Sequence, residues 1–304
     1  MKNKKIWIII GILFFVLLWL LLWPNNKNDG VKTVVKKITE PNAEFSMDGV
    51  NKINWNGLVA KDYPSTEVAL VELNITDTNK KIEIRNILKA SSPALFNFDD
   101  NRNLFEFSKN ITNASQITKG KLKVNDIKAI FLETMVKIET NETKIEETSF
   151  KQYLNPWWVS SDEIKADAIE VLANYYYKNL AVKTFSGYMI KADYFTDGTL
   201  VKMENQLPFG KIIKTENKKL LTINDLIKIS SDKFKIWRVD GGSEYELSGE
   251  TPSIDEVKVT EYELEYIYDV KTGILWPYYF IKGESQLTTG VAKVTLIISA
   301  VKEE

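Results

Sequence analysis

The chain of 304 residues contains no cysteine and no histidine, and these two absences exclude more functions than any motif it carries. Without thiols there is no disulfide, no cysteine nucleophile and no lipidated cysteine of a bacterial lipoprotein, so stability outside a cell has to come from packing. Without imidazole the usual general base near neutral pH is missing. Serine-histidine-aspartate and cysteine-histidine catalysis are excluded, together with zinc sites built on His or Cys. Charge of one sign is scarce too: 40 Lys and Arg stand against 41 Asp and Glu, a net charge of −1, with no long run of either. Nucleic acid is therefore not expected as a partner, because its binding rests on clustered Lys and Arg.

What the chain has is one long apolar run. Ile6 to Trp23 is eighteen residues without a charge, and as a helix it would span roughly 27 Å, close to the hydrocarbon core of a bilayer. Trp7 and Trp23 sit at its ends, where indole favours the headgroup zone; Trp19 lies within it, and Pro24 stops the helix. A cleaved signal peptide also begins with lysines, here Lys2, Lys4 and Lys5, but its apolar core is shorter and ends in small residues, whereas Trp23 is followed by Pro-Asn-Asn-Lys. The reading is a single-pass signal anchor, Ile6, Trp7, Trp19 and Trp23 among its residues. Residues 1–5 are then a cytoplasmic tail, 24–44 a tether and the rest extracytoplasmic at the plasma membrane. Lys27, Lys32, Lys36 and Lys37 on the other flank keep the inverted topology open.

About 260 residues remain, enough for one large or two smaller cores. Lys52–Ile75 is strand-like, and Thr78–Lys89 reads as a short helix stopped by Ser91-Ser92-Pro93. Asn97–Asn103 is a turn cluster between aromatic runs. Leu132–Thr140 alternates Leu132, Thr134, Val136 and Ile138 against Glu133, Lys137 and Glu139, which predicts a half-buried strand. Ser160–Asn179 fits a capped helix or a strand, and is taken as a turn over 160–166 and a strand from 167. Residues 188–205 form a hairpin about Thr196-Asp197-Gly198, since Asp-Gly supplies the positive φ of a tight turn. Thr222–Ser230 is a short helix capped at Thr222 or Asn224. Val257–Asp269, Ile274–Lys282 and Val291–Val301 make an antiparallel meander, with turns at Lys271-Thr-Gly273 and near Gly283 to Gly290.

The succession Tyr194-Phe-Thr-Asp-Gly198, Leu221-Thr-Ile-Asn-Asp-Leu226, Glu261-Tyr-Glu-Leu-Glu-Tyr266 and Gly273-Ile-Leu-Trp-Pro-Tyr-Tyr-Phe280 resembles the PepSY-like modules, in particular those of the membrane-anchored YycH/YycI-type regulators. The resemblance covers residues 185–301. It implies one N-terminal span, an outer α+β region and action on a sensor kinase through protein contacts. Val124-Asn-Asp-Ile127 against Ile223-Asn-Asp-Leu226 is an internal echo. The expected fold is α+β: a transmembrane helix, then antiparallel sheets with a few short helices in two PepSY-like units, 45–155 and 156–304.

Three constellations bear on chemistry. Glu261, Glu263 and Glu265 on one strand face would gather a cation such as Ca²⁺, but same-face neighbours lie nearly 7 Å apart, and a solvated acidic face needs no ligand. Asn155-Pro-Trp157-Trp158 would offer stacking platforms for cell-wall sugars, or plug a junction between packing units. A carboxylate-pair glycosidase survives the loss of His and Cys, yet no acid is marked for it. No catalytic residue, cofactor or metal is expected. The function expected is regulatory or scaffold contact with another membrane or envelope protein, and the alternative is a cell-wall or small-ligand binding module with Trp157 and Trp158 as its platform.

Overall fold

The computed structural model describes residues 37–41, 50–56, 58, 66–73, 78–89, 95–99, 104–109, 111–138, 142–154, 157–184, 187–206, 212–240, 254–288 and 290–302. The span expected at 6–23, with Ile6, Trp7, Trp19 and Trp23, lies outside them. Among the described residues no helix is long and apolar enough to cross a membrane.

The body is sheet-rich α+β. Its strands are β1 (Lys52–Asn54), β2 (Glu67–Leu73), β3 (Leu95–Asp99), β4 (Leu104–Ser108), β5 (Glu142–Leu154), β6 (Trp157–Ser160), β7 (Ala168–Tyr177), β8 (Leu180–Lys183), β9 (Ile190–Phe195), β10 (Leu200–Gln206), β11 (Ile212–Lys219), β12 (Lys235–Asp240), β13 (Glu256–Asp269), β14 (Ile274–Leu287) and β15 (Gly290–Ser299). The helices are α1 (Thr78–Lys89), α2 (Val124–Ile138) and α3 (Ile223–Lys228), with single 3₁₀ turns at Ala114–Gln116 and Ser231–Lys233.

Strand pairing divides into two regions joined through β7 and β8. In the first, the order is β6-β5-β7-β9-β10-β4-β3, all antiparallel. In the second, β12-β15-β14-β13 is the antiparallel meander, and β13 pairs in parallel with both β8 and β1. β2 takes up the start of β14 at Val71 and Glu72 and carries β11 on its other side. The boundary expected near residue 155 falls inside the β5–β6 pairing, and Ile38–Glu304 coheres as one unit.

Local chemistry explains most elements. The Asp-Gly turn is as expected: Gly198 has φ +90°, Phe195 donates to the Thr199 carbonyl at 2.9 Å, and the Asp197 carboxylate accepts from the Thr199 amide at 2.9 Å. α1 and α3 form where expected. Thr222 is the N-cap of α3 and makes a reciprocal capping box with Asp225. Its amide and hydroxyl, with Lys302, hold the Asp225 carboxyl down at about 2.

The strand expected over Leu132–Thr140 is instead the second half of α2. Ile127, Phe131, Met135 and Ile138 are buried at helical spacing, whereas Leu132 and Val136, which an alternating reading would bury, are exposed. The turn expected near Gly283 to Gly290 falls at the end of that stretch. Gly283 sits inside β14 opposite Val259, and the chain turns back after Leu287.

One core runs through the inner faces of both regions. It takes Phe105, Val171, Tyr194 and Phe131 from the first, and Tyr262, Tyr266, Ile281, Leu296 and Leu226 from the second. Two of its tyrosine hydroxyls are tied down: that of Tyr175 donates to Asn205 at 2.7 Å and that of Tyr266 to the Ala69 carbonyl at 2.8 Å. A smaller cluster lies on the outer face of the meander, where Ile38 packs with Leu70, Ile274, Trp276, Tyr278 and Phe280. The Ile38 amide donates to Glu216 at 3.2 Å.

The turn between β13 and β14 locks β2 in place. Gly273 has φ +73°, its carbonyl accepts from the Leu73 amide at 2.8 Å, and a Cβ there would sit 2.4 Å from the Leu73 carbonyl oxygen. Gly273→Ala is therefore expected to cost about 1–3 kcal/mol through backbone strain and loss of the β2 contact. The check is the urea midpoint of the variant; an unchanged midpoint would show that this close approach contributes nothing.

Candidate functional site

Side-chain alternation along the meander puts charge at one end of its outer face and aromatic rings at the other. On β13 the residues Glu261, Glu263 and Glu265 share that face, and across the ladder they stand opposite Lys282, Phe280 and Tyr278 of β14. On the far side of β14, Thr295 is opposite Lys282 and Lys293 is opposite Glu284; on β12, Arg238 and Asp240 continue the rows. Lys183 at the end of β8, Tyr188, and Glu146 and Glu147 at the β-bulge of β5 complete the wall. Together they enclose an open cleft of about 770 Å³.

The floor is cross-braced. Lys282 Nζ lies 2.7 Å from Glu263 and 3.1 Å from Glu261, while Lys183 Nζ is 2.7 Å from Glu265 and 4.9 Å from the centre of the Phe280 ring. Trp237 meets Phe280 edge-on at 5.1 Å between centroids. Arg238 Nε donates to Asp240 at 2.6 Å, and the Tyr188 hydroxyl donates to Glu147 at 3.1 Å.

Burial raises the Glu265 carboxyl above the usual range even though Lys183 pulls it down. Burial also acts against the Lys282 ammonium, but Glu263 and Glu261 outweigh it and hold that group above the ordinary lysine value. Tyr188 is raised, first by burial and then by Glu147, with Arg238 acting the other way. Seven carboxylates line the cleft against four cationic side chains, so the lining is acidic by three charges.

The acidic face of β13 is therefore more than a solvated face. Its three glutamates are used on lysines, and Glu265 is buried. Among the described residues no group of three or more acidic side chains is placed to hold a metal ion. The two tryptophans of the β5–β6 hairpin are separated from this cleft and from each other. Trp158 turns inward, half-buried, with its ring 5.2 Å from Tyr153 and 6.3 Å from Phe195. Trp157 points the other way and is 72% exposed. They do not form one platform.

Sequence reasoning missed Lys183, Tyr188, Trp237, Arg238 and Lys282. Only the alternation of Glu261, Glu263 and Glu265 marked the site, because Glu146, Glu147, Lys183 and Tyr188 come from more than 70 residues away in the chain, and the β12 and β14 residues reach it only through strand register, which no local pattern encodes. No protein-family model matches the chain, and no curated protein matches it.

Proposed function

We propose that this chain is a non-catalytic, single-pass protein of the cell envelope that works by binding another membrane or envelope protein. On this reading residues 6–23 anchor it with the amino terminus in the cytoplasm, and the body stands outside. The two PepSY-like units stay part of the proposal. The echo between Val124-Asn-Asp-Ile127 and Ile223-Asn-Asp-Leu226 supports them, since each begins a helix with an Asp that accepts from the amide three residues back, Lys123 in one and Thr222 in the other.

The observation that carries the reading is the cleft. A rigid, ion-paired floor with an aromatic wall and an acidic excess suits an extended partner segment bearing Lys or Arg, which would trade water for carboxylates already fixed in place. Of the acids in the cleft, Glu261, Glu263 and Glu265 are engaged by lysines, Asp240 by Arg238, and Glu146 and Glu147 by tyrosine hydroxyls. A cell-wall ligand finds less support, because Trp157 stands alone on its face.

In cells carrying the full chain, a benzophenone side chain at Thr260, on the cleft rim, is expected to crosslink one membrane protein. The same group at Ile164, an exposed site off the cleft, is not. Combining Glu146→Lys with Glu284→Lys, both exposed on the rim, is expected to weaken the Thr260 adduct about tenfold. An adduct that survives charge reversal, or one made of glycan, would count against a basic protein segment as the occupant.

A further inference from the structure

The β5–β6 hairpin has two chemically different faces. Register pairs Tyr153 with Trp158 and Leu154 with Trp157, so Leu154, Trp157 and Val159 share one face with Gln152. The Tyr153 and Trp158 face is fastened to the body: the Tyr153 amide donates to the buried Asp167 carboxylate at 3.0 Å, its hydroxyl to the Ile111 carbonyl at 3.4 Å, and Trp158 stacks toward Phe195. The other face carries three large apolar side chains into solvent, Leu154 at 53%, Trp157 at 72% and Val159 at 36% exposure. A hairpin held rigidly by one face and apolar on the other is built to contact something.

We infer that this face docks on the lipid headgroup–acyl boundary of the membrane in which the chain is anchored. The three side chains expose on the order of 300 Å², well short of the ~800 Å² per partner that a stable protein interface or dimer needs. A bilayer asks for less, because a tethered body is always near it and a shallow apolar insertion led by an indole then suffices. A stretch of fourteen residues, 24–37, has a contour length of at most roughly 48 Å, and a tether of that length would let this face turn to the surface. The inference rests on the anchor proposed above.

Because the chain has no cysteine, a single introduced one reports a single place. Leu154→Cys, labelled with an environment-sensitive fluorophore, is placed in the full chain and reconstituted in vesicles of phosphatidylglycerol and phosphatidylethanolamine; Val136→Cys, on the exposed side of α2, is the comparison. Acyl-brominated lipid is expected to quench the Leu154 label and leave the Val136 label bright, and adding Trp157→Ser is expected to reduce that quenching about threefold. If the protein floats with the vesicles but the Leu154 label stays aqueous, the inference is overturned and the anchor stands. A label shielded without bromolipid quenching, in proportion to protein density, would assign the face to a second copy and overturn it as well. A chain that does not float removes the anchor and this inference together.

Discussion

Lys151→Met is expected to lower the unfolding free energy by about 3–5 kcal/mol at pH 7, the range for stranding buried carboxylates by removing their cation. Lys151 on β5 reaches across to Glu170 on β7 at 2.7 Å and to Asp193 on β9 at 3.1 Å, and all three side chains are largely shielded from water. Burial opposes all three charges. It wins at Asp193, whose carboxyl stands above the ordinary range despite Lys151. At Glu170 it is outweighed by Lys151, Lys191 and Ser149, and that carboxyl stands below. The same carboxylates hold the Lys151 ammonium above the usual lysine value against its own desolvation.

In the variant the two acids face each other without Lys151, so Asp193 rises further above its unfolded value and Glu170, still held by Lys191 and Ser149, rises from its depressed one. A raised folded pKa gives stability that is present at low pH and lost as pH rises through it. The deficit relative to the parent chain should therefore shrink between pH 7.5 and 4.5, where the exposed-chain carboxyls begin to protonate. Urea unfolding at both pH values measures it. A loss under about 1 kcal/mol, or one independent of pH, would show that water has replaced the lysine.

Phe131→Ala should be comparably severe, about 3–5 kcal/mol, because the ring is fully buried in the inner core and α2 cannot collapse onto the sheet without losing its contacts elsewhere. Its neighbour on the other side of the helix supplies the control. Val136 is 78% exposed, and Val136→Ala should stay within about 0.5 kcal/mol. A strand through Leu132–Thr140 would bury Val136 and make its truncation costly, so the Val136→Ala denaturation curve decides between periodicities.

That segment shows where the sequence could and could not be read. Leu132, Thr134, Val136 and Ile138 alternate as a strand would, yet Ile127, Phe131, Met135 and Ile138 keep helical spacing over a longer stretch, and it is this set that is buried. The deciding clue was local and present: Val124-Asn-Asp-Ile127 repeats the start of α3, with the Asp126 carboxylate accepting from the Lys123 amide at 2.8 Å. Turns and caps were legible because Asp197-Gly198, Thr222 and Gly273 act on their immediate neighbours. The meander was legible because its three strands follow one another. The cleft was not, since Glu147, Lys183, Arg238 and Lys282 meet only through pairings of β5, β8, β12 and β14 that the whole topology has to bring about.

The nesting of the two regions has a kinetic consequence. β3 to β10 are contiguous in the chain, from Leu95 to Gln206, and close on themselves as they are made. β2 has no such neighbour. Its apolar residues Val68, Leu70, Val71 and Leu73 await β11 and β14, and the bond from the Tyr266 hydroxyl to the Ala69 carbonyl spans 197 residues. Until the last strands arrive, a strand with the composition of an aggregation seed stands open at both edges. High contact order of this kind makes refolding slow, and it makes β2 the segment that a holding chaperone would recognise on the nascent chain.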